Sequence, residues 1–327
     1  MNYNPILIVA GEPNSVFLEI YFKTITKLKI KSPLILIVSK RLLILQMMKL
    51  KFKKKINLLN HHELDFSKLD NRSINIINVD YNPQKAFEKI SDKSNQYIEN
   101  CFKVAIKILK KGYIQKFING PISKKNYLGN KFLGITEYLA HHFKKKNAML
   151  IYNKQLSVCP ITTHLPLKFV SKFITKKIII DKIGLINKFY KKQFNYKPKI
   201  ALLGLNPHCE SIHKYNEDNE ILKPTVKVLS KLNYKISGPY PADTIFLKNN
   251  RKKFDVIVGM YHDQVLTPLK TLYEYNAINI TLGLPFIRIS PDHGPNERMM
   301  GKNLSNPLSL IQAIKFLDKN WLKLKKA

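Results

Sequence analysis

At 327 residues the chain is long enough to bury a substantial core, as one large α/β domain or as two lobes. Its 45% hydrophobic and 24% charged content is ordinary for a soluble globular protein, whereas its net charge of +34 is not. The lysines are scattered (Lys49–Lys55, Lys144–Lys146, Lys191–Lys192, Lys323–Lys326) and no nucleic-acid motif accompanies them. The charge therefore reads as a general lysine enrichment shared with Ile and Asn, which argues against nucleic acid as the expected partner yet favours encounter with phosphorylated metabolites. Cys101, Cys159 and Cys209 are few, widely spaced and odd in number, which argues against a disulfide framework and for a reducing, cytoplasmic setting. The chain enters a strand-like segment at once, with no leader pattern. The most apolar long stretch, Pro33–Met48, is interrupted by Lys40 and Arg41 and is too short to span a bilayer.

In chain order, Pro5–Ala10 reads as a buried strand, followed by the loop Gly11-Glu12-Pro13-Asn14-Ser15 and a helix from about Ser15. Leu34–Ser39 is a second strand with a Lys-rich helix behind it, and Ile74–Val79 is a third. Gln84–Lys111 carries a helical period that Gly112 closes as C-cap. Ile114–Ile118 is a strand ending in Asn119-Gly120-Pro121-Ile122-Ser123-Lys124. A short helix with His141 and His142 follows Gly134-Ile135-Thr136-Glu137, and Met149–Tyr152 and Leu156–Thr162 form a strand pair. Helices around Leu167–Ile174 and Ile180–Gln193 precede the strand Ile200–Leu205. A helix near Glu220–Leu232 leads through Gly238-Pro239-Tyr240-Pro241-Ala242-Asp243-Thr244 to a strand at Phe254–Val258 that turns at Gly259. Asn279–Leu282 and the segment ending at Arg288 are the last strand-like runs, before a closing helix at Leu308–Leu317. Alternating β and α segments predict a mostly parallel, mixed sheet with helices on both faces.

Three histidines, His164, His208 and His262, each follow a strand by a few residues. Imidazole is the commonest protein ligand for borderline metals, and open α/β sheets bind ligands beyond the carboxyl ends of their strands. Three protein ligands leave coordination positions open for a substrate. Lys270, Asn279 and Arg288 add two cations and an amide, which suits an anionic, metal-chelating substrate. His61, His62, His141, His142 and His213 lie in polar or basic surroundings and read as surface residues. The chain has no Gly-x-Gly-x-x-Gly after a strand, no Walker A sequence and no Gly-x-Ser-x-Gly, so a dinucleotide would bind by another loop.

Seven segments occur in order: Gly11-Glu12-Pro13, Thr162-Thr163-His164-Leu165-Pro166-Leu167, Gly204-Leu205-Asn206-Pro207-His208, Gly238-Pro239 through Thr244, Met260-Tyr261-His262-Asp263-Gln264, Asn279 through Arg288, and Asp292-His293-Gly294. Over nearly its whole length the chain resembles the 4-hydroxythreonine-4-phosphate dehydrogenases of pyridoxal phosphate biosynthesis. The resemblance implies a three-layer αβα fold of the isocitrate/isopropylmalate dehydrogenase type, with two lobes of about 1–125 plus 285–327 and 126–284. It implies a homodimer with active sites at the subunit interface. The reaction implied is oxidation of 4-phosphohydroxy-L-threonine by NAD or NADP, after which the β-keto acid loses carbon dioxide. His164, His208 and His262 would bind one divalent metal (zinc, magnesium or cobalt), with ligands shared between subunits. Thr136, Lys270, Asn279 and Arg288 would contact substrate, and Asp243 or Lys270 would assist proton transfer. His293-Gly294, Gly301 and Asn306-Pro307 resemble, in spacing, the adenosine-binding loop of isocitrate-type dehydrogenases.

The sequence departs from the family at four points. Ile135 stands where the family has a histidine before the threonine. The first loop reads Asn14-Ser15-Val16-Phe17-Leu18-Glu19, the stretch after His208 reads Cys209-Glu210-Ser211-Ile212, and Pro295-Asn296-Glu297-Arg298 replaces Thr-Ala after Gly294. Ile135 keeps in play a paralogue acting on phosphorylated threonate or erythronate. The basic surface keeps in play a binding protein that has lost catalysis.

Overall fold

The computed structural model describes residues 3–66, 69–123, 132, 134–210, 215–291 and 293–319. Lys124, His213, Asp292 and Lys323–Lys326, named above, lie outside them. The chain divides into two compact units, residues 1–135 with 285–327, and residues 136–284.

The first unit opens with β1 (Ile6–Val9), α1 (Phe17–Lys27), β2 (Leu34–Val38), α2 (Lys40–Lys49), β3 (Ile56–Leu58), β4 (Ile74–Asn78), α3 (Asn95–Lys110) and β5 (Lys116–Asn119). The chain then enters the second unit through α4 (Ile135–Phe143, whose first residue lies on the boundary), β6 (Ala148–Tyr152) and β7 (Ser157–Pro160). There follow α5 (Val170–Phe173), α6 (Lys176–Phe194), β8 (Ile200–Leu203), α7 (Lys223–Lys231), β9 (Ile236–Tyr240), α8 (Ala242–Ile245), α9 (Lys248–Arg251), β10 (Val256–Gly259), α10 (His262–Tyr273) and β11 (Ile278–Leu282). β12 (Ile287–Ser290) and α11 (Leu308–Leu317) return to the first unit.

In the first unit the strand order is β3-β4-β2-β1-β5-β12, all parallel. Strands covered on both faces must be apolar throughout, and Ile6, Leu7, Ile8 and Val9 of β1 are each fully buried. At roughly 1.5–3 kcal/mol per buried aliphatic side chain, such runs supply much of the drive for folding. In the second unit the order is β11-β6-β7-β10-β8-β9. β7, β10, β8 and β9 run parallel, while β6 is antiparallel to both neighbours. Both units are thus α/β and the sheet is mixed, as the alternation of segments predicts.

Three elements differ from the sequence expectation. The helical period at 84–111 becomes helix only from Asn95, because the preceding residues are taken up by loop contacts such as Glu88 N donating to Asn14 Oδ1. β9 covers Gly238-Pro239, where the sequence reading assigned no strand. Gly238 has φ of +131°, and a Cβ there would come within 2.4 Å of Leu202 O, so glycine is what lets β9 lie against β8. His262 and Asp263 open a helix rather than sitting in a loop, and Pro268 is accommodated within it. Among the described residues no helix is long and apolar enough to cross a membrane, and no cysteine is disulfide-bonded.

Candidate active site

The second unit brings the ends of β7, β10 and β8 side by side, with β10 in the middle. Each of these strand ends leads within a few residues to one predicted histidine. The β7 and β10 extensions remain paired past the strands: Ile161 N donates to Gly259 O at 2.7 Å and Thr162 N to Met260 O at 3.0 Å. Thr162 Oγ1 also donates to Met260 O, at 2.8 Å. That double tie holds the imidazoles of His164 and His262 with ring centroids 5.8 Å apart. His262 is the first residue of α10, and its Nδ1 lies 2.6 Å from Asp263 Oδ1. A carboxylate can only accept, so Nδ1 carries the hydrogen, and Nε2 is the ring nitrogen left to face a metal.

His208 is exposed, in the short turn Pro207–Cys209 beyond β8. Its φ is +56° and that of Cys209 is +60°, two successive left-handed non-glycine residues. Such a turn costs on the order of 1 kcal/mol or more per residue. Gln264, in the first turn of α10, bridges this strand end to the next. Its Nε2 donates to Gly204 O at 2.8 Å, and its Oε1 accepts from Met260 N at 2.6 Å. Among the described residues no three His, Cys, Asp or Glu side chains are grouped closely enough to hold a metal ion. His164 and His262 form the close pair, and His208 stands one strand beyond it. A donor set of imidazoles at the ends of adjacent strands fits, by its chemistry, a borderline divalent cation.

Thr136, in the first turn of α4, lies beside β11, with its Oγ1 3.5 Å from Thr281 Oγ1. Asn279 and Thr281 are two residues apart in one strand and share a face. Asn279 Oδ1 is buried and has no hydrogen-bond partner among the described residues, an acceptor that suits a bound polar group. Glu137, next to Thr136, accepts from Thr163 Oγ1 at 3.4 Å, which links α4 to the loop carrying His164. Lys270 is half-buried in the last turn of α10, and burial holds its pKa below the ordinary lysine value. Asp243 is exposed on α8. It is near enough to Cys209, in the His208 turn, to join burial in raising that thiol's pKa.

The remaining predicted residues belong to the first unit. Arg288, 3% exposed on β12, donates from Nε to Asn119 Oδ1 at 2.7 Å at the carboxyl end of β5. His293 Nδ1 donates to Gly294 O at 3.0 Å, and the ring stacks on Phe17 of α1 at 6.2 Å. Burial holds its pKa below the ordinary value, so the ring is neutral, and its buried Nε2 acceptor has no partner among the described residues. A Cβ at Gly294 would meet nothing within 4 Å. Together these leave room and an acceptor for a nucleotide base or ribose. Asn306 Oδ1 instead accepts from N of Leu308, the first residue of α11, at 2.9 Å. Ile135 is 6% exposed, so an apolar side chain is well accommodated there. Thr281, Gln264 and Glu137 are site neighbours to which the sequence reading gave no role. Period-two spacing from Asn279 points to Thr281, and Gln264 and Glu137 sit inside motifs already read.

An α/β chain with ligand-type side chains gathered at the carboxyl ends of adjacent parallel strands is the arrangement of an open-sheet metabolite enzyme. The chain matches the family model "Pyridoxal phosphate biosynthetic protein PdxA" over residues 29–317. It is 43% identical over 246 residues to the 4-hydroxythreonine-4-phosphate dehydrogenase of Sulfurihydrogenibium sp. (strain YO3AOP1), spanning 74% of each chain. The crystal structure of that dehydrogenase from Klebsiella pneumoniae superposes with a TM-score of 0.82 at 26% identity, over 96% of this chain and 98% of that one. The one from Burkholderia phymatum gives 0.77 at 26% identity, over 97% and 98%. The chain belongs to the PdxA family of pyridoxal phosphate biosynthetic proteins.

Proposed function

We propose that the protein oxidises 4-phosphohydroxy-L-threonine with NAD or NADP to 2-amino-3-oxo-4-(phosphooxy)butanoate, which loses carbon dioxide to give 3-amino-2-oxopropyl phosphate, in pyridoxine 5'-phosphate biosynthesis. The observation that carries the reading is the His164–His262 pair on neighbouring parallel strands, with His208 on the next, in a chain of this family. His164, His208 and His262 are the residues that would hold one divalent cation, with zinc, magnesium and cobalt as candidates. Bound there, the cation would supply Lewis acidity for removing the hydroxyl proton and for stabilising the oxygen charge left by decarboxylation. His293, Gly294 and Asn306 lie on the loop proposed for the adenosine end of the dinucleotide, whose nicotinamide takes the hydride. The active unit is proposed to be a homodimer with metal ligands shared across the subunit interface, in a reducing cytoplasm.

Within this reading the chain's own groups divide the work. Thr136, Asn279 and Arg288 bind polar and anionic groups of the substrate, Arg288 as a fixed, always-charged donor. Lys270 is the better candidate than the exposed Asp243 for taking the hydroxyl proton, because burial makes its neutral amine accessible at lower pH. The test is nicotinamide reduction by metal-reconstituted protein on 4-phosphohydroxy-L-threonine and, separately, on phosphorylated threonate, with carbon dioxide release measured in parallel. The reading predicts one carbon dioxide per reduced nicotinamide on the amino substrate. Turnover of threonate phosphate alone would reassign the substrate, and Ile135 would then mark the altered pocket.

A further inference from the structure

Asp218 lies in the second unit, at the start of the short helical segment Asp218–Leu222 ahead of α7, and the function above gives it no role. Its side chain is fully buried, yet no cation is within ion-pair distance of it among the described residues. Its carboxyl oxygens are met instead by N–H groups from one short stretch. Leu205 N donates to Oδ1 at 2.9 Å, Asn206 N to Oδ2 at 3.0 Å, and Asn206 Nδ2 to Oδ2 at 2.7 Å. Leu205 and Asn206 are the residues that lead into Pro207-His208. The next two non-proline residues, His208 and Cys209, are both left-handed. A carboxylate buried without a cation is unfavourable unless its acceptors are filled. Among the described residues, the donors that fill it come from Leu205 and Asn206, the segment leading to His208.

The same segment leaves no slack on its other side. A Cβ at Gly204 would fall 2.7 Å from Asp218 Oδ1 and 2.6 Å from Cys209 Sγ, so Asp218 and the turn are packed against the strand end itself. Gly204 O is in turn held by Gln264 of α10, the helix that His262 opens. A chain of direct hydrogen bonds therefore runs from Asp218, through the β8 end, to the β10 end that carries His262.

We infer that Asp218 is a positioning residue for the metal centre, fixing the turn that carries His208 through three N–H bonds from Leu205 and Asn206. The inference rests on the metal reading proposed above. Mutating groups that orient metal ligands from outside the coordination sphere typically changes metal affinity by about 10–100-fold.

The test is equilibrium titration of metal-stripped protein with Co(II), followed by its visible absorption, for wild type, Asp218→Asn and Asn206→Ala. Asp218→Asn places an amide where an acceptor is needed. Asn206→Ala removes the side-chain bond alone and leaves both backbone bonds. The inference predicts about tenfold or weaker Co(II) binding for Asp218→Asn, with an altered ligand-field band. It predicts a smaller loss, about threefold, for Asn206→Ala. Thermal unfolding of the metal-free proteins separates the effect from global instability, since wild-type metal affinity in a folded Asp218→Asn overturns the inference. Should Asp218→Asn fail to fold, wild-type affinity in Asn206→Ala overturns it equally. Absence of Co(II) binding by the wild type overturns the metal reading, and this inference with it.

Discussion

Glu12 is the buried carboxylate at the carboxyl end of β1. It is 2% exposed, accepts from Asn14 N at 3.1 Å and is met by Ser94 Oγ at 3.3 Å. Desolvation outweighs these bonds and pushes its pKa up to about 7. A raised carboxyl pKa means that the folded state keeps a proton which the unfolded state sheds. The linkage penalty is absent below about pH 4.5, grows through about pH 7 and is constant above, amounting to about 3 kcal/mol at most. Glu12→Gln is therefore expected to gain stability relative to wild type as pH rises from 5 to 8, measured by denaturant unfolding at each pH. A constant difference across that range would contradict the burial argument. Lys270 carries the opposite kind of shift. If its neutral amine takes the proton, kcat rises with pH along a limb set by a pKa below the usual lysine value, and Lys270→Arg loses that limb. At this scale the sequence offers candidates where residue type and motif position coincide, as for the histidines, Lys270, Asn279 and Arg288. Asp218 did not, because a carboxylate in a polar run such as Asn216-Glu217-Asp218-Asn219-Glu220 looks solvated until its burial is seen.

The strands explain why distant residues meet. β7, β10 and β8 are separated in sequence but adjacent and parallel, so the segments beyond their carboxyl ends share one edge. Apolar runs ending in Gly or Pro made these strands readable from the sequence. Their spatial order was not, because pairing between remote strands leaves no local pattern. The irregular β9 was missed for a related reason: Gly-Pro normally signals a loop, and here the clearance against Leu202 O overrides that signal. Local helical period likewise overstated α3 by extending it back to Gln84, where tertiary contacts win. The β1 and β5 ends show how tightly such edges are packed. A Cβ on Gly120 would come within 2.1 Å of Ala10 O, so Gly120→Ala must move backbone. It is expected to destabilise by about 2–3 kcal/mol, read as a lower denaturant midpoint with unchanged slope. A loss under about 0.5 kcal/mol would show that this edge is more compliant than its geometry implies.

For the molecule as a whole, alternating β and α segments were enough to give the α/β class and its mixed sheet, and the ordered motifs were enough to give the family. The net charge of +34 belongs to this scale as well, since no described cluster of lysines forms a motif. A strongly basic protein acting on a phosphorylated substrate should show long-range attraction that salt screens within about 10 Å at 0.1 M. Accordingly, kcat/KM is expected to fall severalfold between about 0.05 and 0.3 M salt, with kcat nearly constant. A salt-independent kcat/KM would mean that the charge is incidental to catalysis. On the proposed reading, the three strand-end histidines form a metal site for oxidation of 4-phosphohydroxy-L-threonine. Its most direct measurement is nicotinamide reduction on that substrate by wild type and His208→Ala, each stripped of metal and then titrated with a divalent cation. Restoration of the wild type by metal, with at least about a hundredfold lower activity in His208→Ala, is the predicted result. Full activity in the metal-stripped protein, or in the metal-loaded His208→Ala variant, would contradict it.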